Sequence, residues 1–484
     1  MKIKYLLLSL VIITFTACVD DDLEAPGAAE AVEITPGDAD FSRMVAMGAT
    51  MTAGYTDNAL FQAGQMNSYP NIMASVMMHA GGGEFTQPYM SDNVGGLLVG
   101  GQPFGGPRLY FDGVGPAPVP GSTTTEATNV MPGPYSNMAA PGVNAVHMLA
   151  PGYGSMAALM QGMANPYYVR MASSDGASII TDALAQAPTF VTILSGFSDA
   201  LASATDGATS VAMGTQGDFQ FAFGTTMGTL SQLVPYGVVS NIPDVTNNAF
   251  FNTVGHDVVP LDAATAALLN GGFAQYNGAL ALVASFGFMT ESEAAARTIN
   301  FVEGMNALVI DDGDLTTIDL TPLGIPLVLP NMRHATADDK ILLSTLAIIG
   351  TTVGGNPTLI NGLSVPLDDT RVLTANEVAE IQSTIAGYNG TINGLASQSG
   401  WAMFDAYSFF EELNSVGISS GDFHMTADLV MGGFYSLDGI HPTARGNAVL
   451  ANAIMEAIDA HYGSNLSDAA VDAGDYPTNY PPNM

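Results

Sequence analysis

Asp438-Gly439-Ile440-His441-Pro442-Thr443-Ala444-Arg445-Gly446 places a carboxylate and an imidazole three residues apart, just ahead of an apolar-striped segment near the C-terminus. A catalytic imidazole needs one ring nitrogen held by a carboxylate so that the other can take a proton, and a D-x-x-H turn supplies both groups from one loop. Read alone, the motif is also a surface turn capped by Asp438. The helix expected behind it, 442–461, carries Val449, Leu450, Ala453, Ile454 and Ile458 on one face, which suits packing on a sheet.

Working outward, four short apolar or β-branched runs end in turns: 41–47, 190–195, 237–242 and 401–404. Parallel strands deliver loops to the carboxyl edge of a sheet in this way, which predicts an α/β chain built as a flavodoxin-like three-layer α/β/α sandwich. Two T-x-x-E capping boxes, Thr290/Glu293 and Thr374/Glu377, predict helices over 292–306 and 375–397. The segment 407–413 also reads as helical.

Beyond the tail motif, the chain contains Gly48-Ala49-Thr50-Met51 after the first strand, Pro141-Gly142, and Gly196-Phe197-Ser198-Asp199 after the second. In order and context these blocks, with Gly54-Tyr55, Asn241-Ile242-Pro243-Asp244 and the tail motif, resemble the SGNH or GDSL hydrolase family, bacterial lipoprotein branch. The resemblance runs from about residue 41 to the C-terminus, and its first and third blocks are degenerate.

What the resemblance implies is an ester hydrolase with Asp438 and His441 as orienter and base, Gly142 as a backbone oxyanion donor, and a nucleophile at position 50. The family's serine is here Thr50, preceded by Ala49. Threonine keeps a hydroxyl, but its γ-methyl stiffens χ1 and crowds the attack path. The family's third-block asparagine is here Ser198, a shorter donor to the same oxyanion. The implied substrates are carboxylic esters of a lipid, an acyl-glycan or a small acyl group. A catalytically inactive SGNH-fold lipoprotein that holds a glycan or lipid is the alternative reading.

Gly417-Ile418-Ser419-Ser420-Gly421 fits G-x-S-x-G, yet it follows a helical segment and precedes polar sequence, so it lacks the strand-turn-helix of a nucleophile elbow and reads as a loop. The glycine-rich stretch 81–106 has no P-loop lysine and reads as a rim over the site or an ordinary loop. The seven histidines are scattered, and Asp311-Asp312-Gly313-Asp314 lacks the rest of an EF-hand loop, so neither a metal nor a cofactor is expected.

Lys2 and Lys4, an apolar run and Thr14-Phe15-Thr16-Ala17-Cys18 form a secretion signal over residues 1–17. With Cys18 the chain's one cysteine, the signal resembles that of a bacterial lipoprotein lipidated at Cys18, which would attach the protein to a membrane. Disulfides are excluded. Residues 18–40 begin with Asp20-Asp21-Asp22-Leu23-Glu24 and read as an acidic flexible tether. Acid directly behind the lipid resembles a signal for the outer face of an outer membrane, giving a cell-envelope location.

After the signal, eight basic residues stand against 45 acidic ones, a net charge of about −37, which argues against nucleic acid as a partner. The site blocks are spread from 48 to 441, so 41–484 is expected to be one domain with insertions near 55–135 and 250–370. The second is expected to form a helical cap or sub-domain.

Overall fold

The computed structural model describes residues 32–131 and 133–484, and Ile34–Met484 form one compact unit. The signal, Cys18 and most of the tether lie outside the described residues. Four parallel strands form the central sheet in chain order: β1 (Met44–Gly48), β2 (Phe190–Leu194), β3 (Tyr236–Ser240) and β4 (Ala402–Phe404). Met44 faces Phe190 and Gly48 faces Leu194, so β1 and β2 end level with one another.

On the open side of β1, Ala46 N–H donates to Ser136 O (2.8 Å) and Met138 N–H donates to Ala46 O (2.9 Å), a parallel rung centred on Asn137. Counting this rung, the order across the sheet is 137, β1, β2, β3, β4. Every residue of β1 and β2 is buried, which requires cover on both sheet faces.

The principal helices are α1 (Tyr69–Met77), α2 (Phe197–Thr205), α3 (Gln216–Leu233), α4 (Ala263–Ser285), α5 (Glu291–Arg297), α6 (Ala375–Ser399), α7 (Ala406–Ser415) and α8 (Ala444–Tyr462). They pack in two groups: α8 lies against α1 and β4, while α6 lies against α3, α2 and β3. One core of buried side chains runs through both groups and the sheet, with Phe190, Ile193, Phe219, Ile385 and Leu450 among its members.

The expected strands are present, each within three residues of its predicted ends. Helix α8 starts two residues late because Pro442 and Thr443 are outside it: Thr443 is the N-cap, its Oγ1 accepting from Gly446 N–H at 3.0 Å. The box at Thr374 is complete, with Thr374 N–H donating to Glu377 Oε2 at 2.7 Å.

The box at Thr290 is only half formed. Glu293 turns instead to Thr316 N–H and Oγ1, and α5 stops at Arg297 rather than 306. Residues 304–306 pair as a strand with Val259–Leu261, and the buried Arg297 guanidinium donates to the carbonyls of Thr316 and Pro330.

Segment 249–373 is mixed rather than helical. Long helix α4 shares a separate core with Phe301, Val309, Ile318 and Met332, while the β-branched stretch after α5 makes short antiparallel strands. The glycine-rich stretch contains a small hairpin, Leu97–Val99 with Gln102–Phe104, turned by Gly100 and Gly101 at φ +58° and +78°.

Candidate active site

The carboxyl ends of β1 and β2 carry the two head loops of the site. After Gly48 the chain turns at Ala49 (φ −120°, ψ −133°) into the helical turn Thr50–Ala53. Gly48 is compelled by packing: a Cβ there would lie 2.8 Å from the Leu194 carbonyl oxygen and 2.1 Å from Thr52 Oγ1. The Thr50 hydroxyl that emerges is buried and has no hydrogen-bond partner among the described residues.

After β2, Ser195 and Gly196 lead into α2, with Gly196 at φ +93° and pressed against Ile242. Ser198 sits in the first turn of α2, and its Oγ is also buried and unpartnered. The next residue, Asp199, accepts from Ala145 N–H at 3.2 Å and so ties this loop to the turn containing Gly142. Burial pushes the Asp199 carboxyl up to about 6 against the pull of that N–H. Gly142 has φ +80°, a conformation that favours glycine, and no nearby atom would otherwise bar a side chain.

The tail loop brings Asp438 and His441 together as the spacing predicts. Asp438 Oδ2 accepts from His441 Nδ1–H at 2.9 Å, fixing the tautomer that leaves Nε2 as the acceptor. Asp438 Oδ1 takes the backbone N–H groups of Ile440 and His441, both at 2.8 Å, and Oδ2 also takes Asn58 N–H at 2.9 Å. Burial alone would raise the Asp438 carboxyl, but the imidazole and the backbone donors outweigh it and hold the group at about 2.

His441 Nε2 is buried without a partner, as is Thr50 Oγ1, so the two are not hydrogen-bonded to each other in this state. The ring of Tyr55 covers that of His441 with centroids 4.9 Å apart.

Two features of this site escape a reading of the sequence. One is Ser195, a third buried and unpartnered hydroxyl, placed directly at the end of β2. The other is the stretch 55–58, which contacts the tail loop with each of its residues; the polar pair Asp57-Asn58 signals a turn but not its partner about 380 residues away.

Ser419 of the G-x-S-x-G match lies on a two-stranded hairpin, Ile418–Ser420 with Phe423–Met425, rather than in a loop. It stands across from His424, with Oγ 3.0 Å from Nδ1, as an exposed cross-strand pair with no helix behind it. Among the described residues no group of three or more His, Cys, Asp or Glu side chains is placed to hold a metal ion, and no helix is long and apolar enough to cross a membrane. No family model, curated protein or solved structure matches the chain.

Proposed function

We propose that the chain is an SGNH/GDSL-type hydrolase of carboxylic esters, anchored to the cell envelope through Cys18 as an outer-membrane lipoprotein. Thr50 stands where the family has serine. The flavodoxin-like form of the fold is supported by the order across the sheet: counting the rung at Asn137 as second in the chain, the strands run 2-1-3-4-5. In such sheets ligands bind beyond the carboxyl ends of the strands where the order reverses, here between β1 and β2. Thr50 and Ser198 leave the sheet at that point.

The observation that carries the reading is the contrast among buried polar atoms. Asp438 is fully bonded, whereas Thr50 Oγ1, Ser198 Oγ and His441 Nε2 are shut away from water with nothing to bind. Buried polar groups are nearly always satisfied, so two orphan hydroxyls on the loops after β1 and β2, with a third orphan on the tail loop that packs on Tyr55, point to a ligand.

In the proposed reaction His441 Nε2 takes the Thr50 proton while the hydroxyl oxygen attacks the ester carbonyl, and Asp438 steadies the imidazolium. The oxyanion faces Gly142 N–H and Ser198 Oγ–H. His441 then returns the proton to the departing alcohol, and water hydrolyses the acyl-Thr50 ester by the same base.

A second reading, a binding protein for a glycan or lipid ester, is favoured by the absence of a Thr50–His441 hydrogen bond and by the short Ser198 donor. Hydrolysis of short- and medium-chain p-nitrophenyl esters by the parent, Thr50→Ala, Thr50→Ser and His441→Ala separates the two. Turnover lost in both alanine variants and retained in Thr50→Ser supports the hydrolase. A silent parent with a silent Thr50→Ser supports the binding protein.

A further inference from the structure

Residues 55–58 form a clamp on the tail loop. Thr56 and Ala59 exchange backbone hydrogen bonds, both 3.1 Å, around a two-residue turn in which Asp57 and Asn58 have φ +51° and +64°. Side chains other than glycine rarely adopt that conformation, and consecutive instances persist only where surroundings enforce them.

Here the surroundings are the tail loop itself. Thr56 Oγ1–H donates to Pro442 O (2.9 Å), Asp57 N–H to Ser436 Oγ (3.0 Å), and Asn58 N–H to Asp438 Oδ2 (2.9 Å). In return Asp57 Oδ1 accepts Leu437 N–H at 3.1 Å. The Tyr55 hydroxyl closes the turn on Asn58 O at 2.7 Å while its ring covers His441.

Asp57 is thus a second buried carboxylate, 2% exposed, bonded one residue away from Asp438. The charged and titratable groups that face it are Asp438 from the tail loop, Arg108 from the neighbouring loop and Tyr480 from the C-terminal segment. Arg108 spends its donors on the carbonyls of Asn93, Leu109, Tyr480 and Pro481 and makes no ion pair with Asp57.

We propose that the Asp57-Asn58 turn is a positioning device for the catalytic pair: Asn58 N–H fixes Asp438, and the Asp57 carboxyl couples a second titration to the His441–Asp438 hydrogen bond. The proposal rests on the hydrolase reading for its functional meaning and on the turn's geometry for the coupling. Burial, opposed by Leu437 N–H and then reinforced by the Asp438 charge, lifts Asp57 to about 7, so its charge changes where such a hydrolase would work. Below that pH the tail-loop end of the site carries one carboxylate charge, on Asp438, and above it a second on Asp57.

The test follows the His441 Nδ1–H proton by low-field NMR across pH 5–9 in the full chain, with the resonance assigned by its loss in His441→Gln. The parent should show an inflection near pH 7 that is missing from Asp57→Asn. Identical curves in parent and variant would overturn the proposal.

If Asp57→Asn fails to fold, the ¹³Cγ of Asp57 in the parent gives the same answer. A midpoint near 7, in step with the Nδ1–H shift, supports the coupling, and a midpoint in the ordinary carboxylate range overturns it. Ester hydrolysis is read on the same samples. An Asp57-dependent inflection without hydrolysis would remove the hydrolase reading and leave the coupling, whereas hydrolysis with identical curves would remove the coupling alone.

Discussion

The tail loop, 436–443, and the head loops, 48–50 and 195–198, are the two halves of the proposed site and differ in how completely their polar atoms are bonded. Asp438 receives three backbone N–H groups and an imidazole, and its loop is stitched to residues 56–58. Thr50, Ser195 and Ser198 each hold a buried hydroxyl with no partner. On the hydrolase reading the bonded half is a preorganised base, held by Asp438 and open only at His441 Nε2. The unbonded half is where binding energy remains to be gained, which is the arrangement expected if a ligand's reacting atoms complete it.

The sharpest way to break this contrast is to remove each half in turn. Asp438→Ala strands three N–H groups and the imidazole, and should cost about 3–5 kcal/mol in urea unfolding and about 10⁴-fold in ester turnover. Thr50→Ala should abolish turnover equally while changing stability by less than about 0.5 kcal/mol, because its hydroxyl makes no bond to lose. Comparable destabilisation in the two variants would dissolve the distinction between the halves. A smaller effect is expected at the oxyanion side: Ser198→Asn restores the longer amide donor and should raise turnover by up to about 10²-fold, read as kcat.

The remaining predictions concern stability against pH, where the two carboxylates have opposite signs. Asp438 is held below its ordinary value, so its contribution is present above about pH 4 and is lost as pH falls toward 2. Asp57 is raised to about 7, so its contribution is full below about pH 4 and is lost as pH rises through 7. Asp57→Asn should therefore flatten the decline of the urea midpoint between pH 5 and 8. An unchanged decline would show that Asp57 does not titrate in that window.

How much of this was legible in the sequence depends on the distance over which each contact acts. The D-x-x-H pair is local, and its geometry follows from a spacing of three residues. Strand ends were legible because β1 and β2 are apolar but for Thr192 and stop at glycine-bearing turns. The clamp at 55–58 was not, because nothing in Tyr-Thr-Asp-Asn names a partner 380 residues distant. Helix α5 is shorter than its local pattern suggests because Thr298 turns to extended backbone and 304–306 pair with Val259–Leu261, a partner no local signal names. Ser195 escaped notice because a serine after a buried strand looks like any strand end until its hydroxyl is found without a bond.

The most direct test of the central claim is covalent trapping with a fluorophosphonate ester, followed by peptide mass mapping of the parent, Thr50→Ala and His441→Ala. The account predicts one phosphonyl adduct, on Thr50, absent from both variants. An adduct on Ser195, Ser198 or Ser419, or labelling that survives His441→Ala, would contradict it.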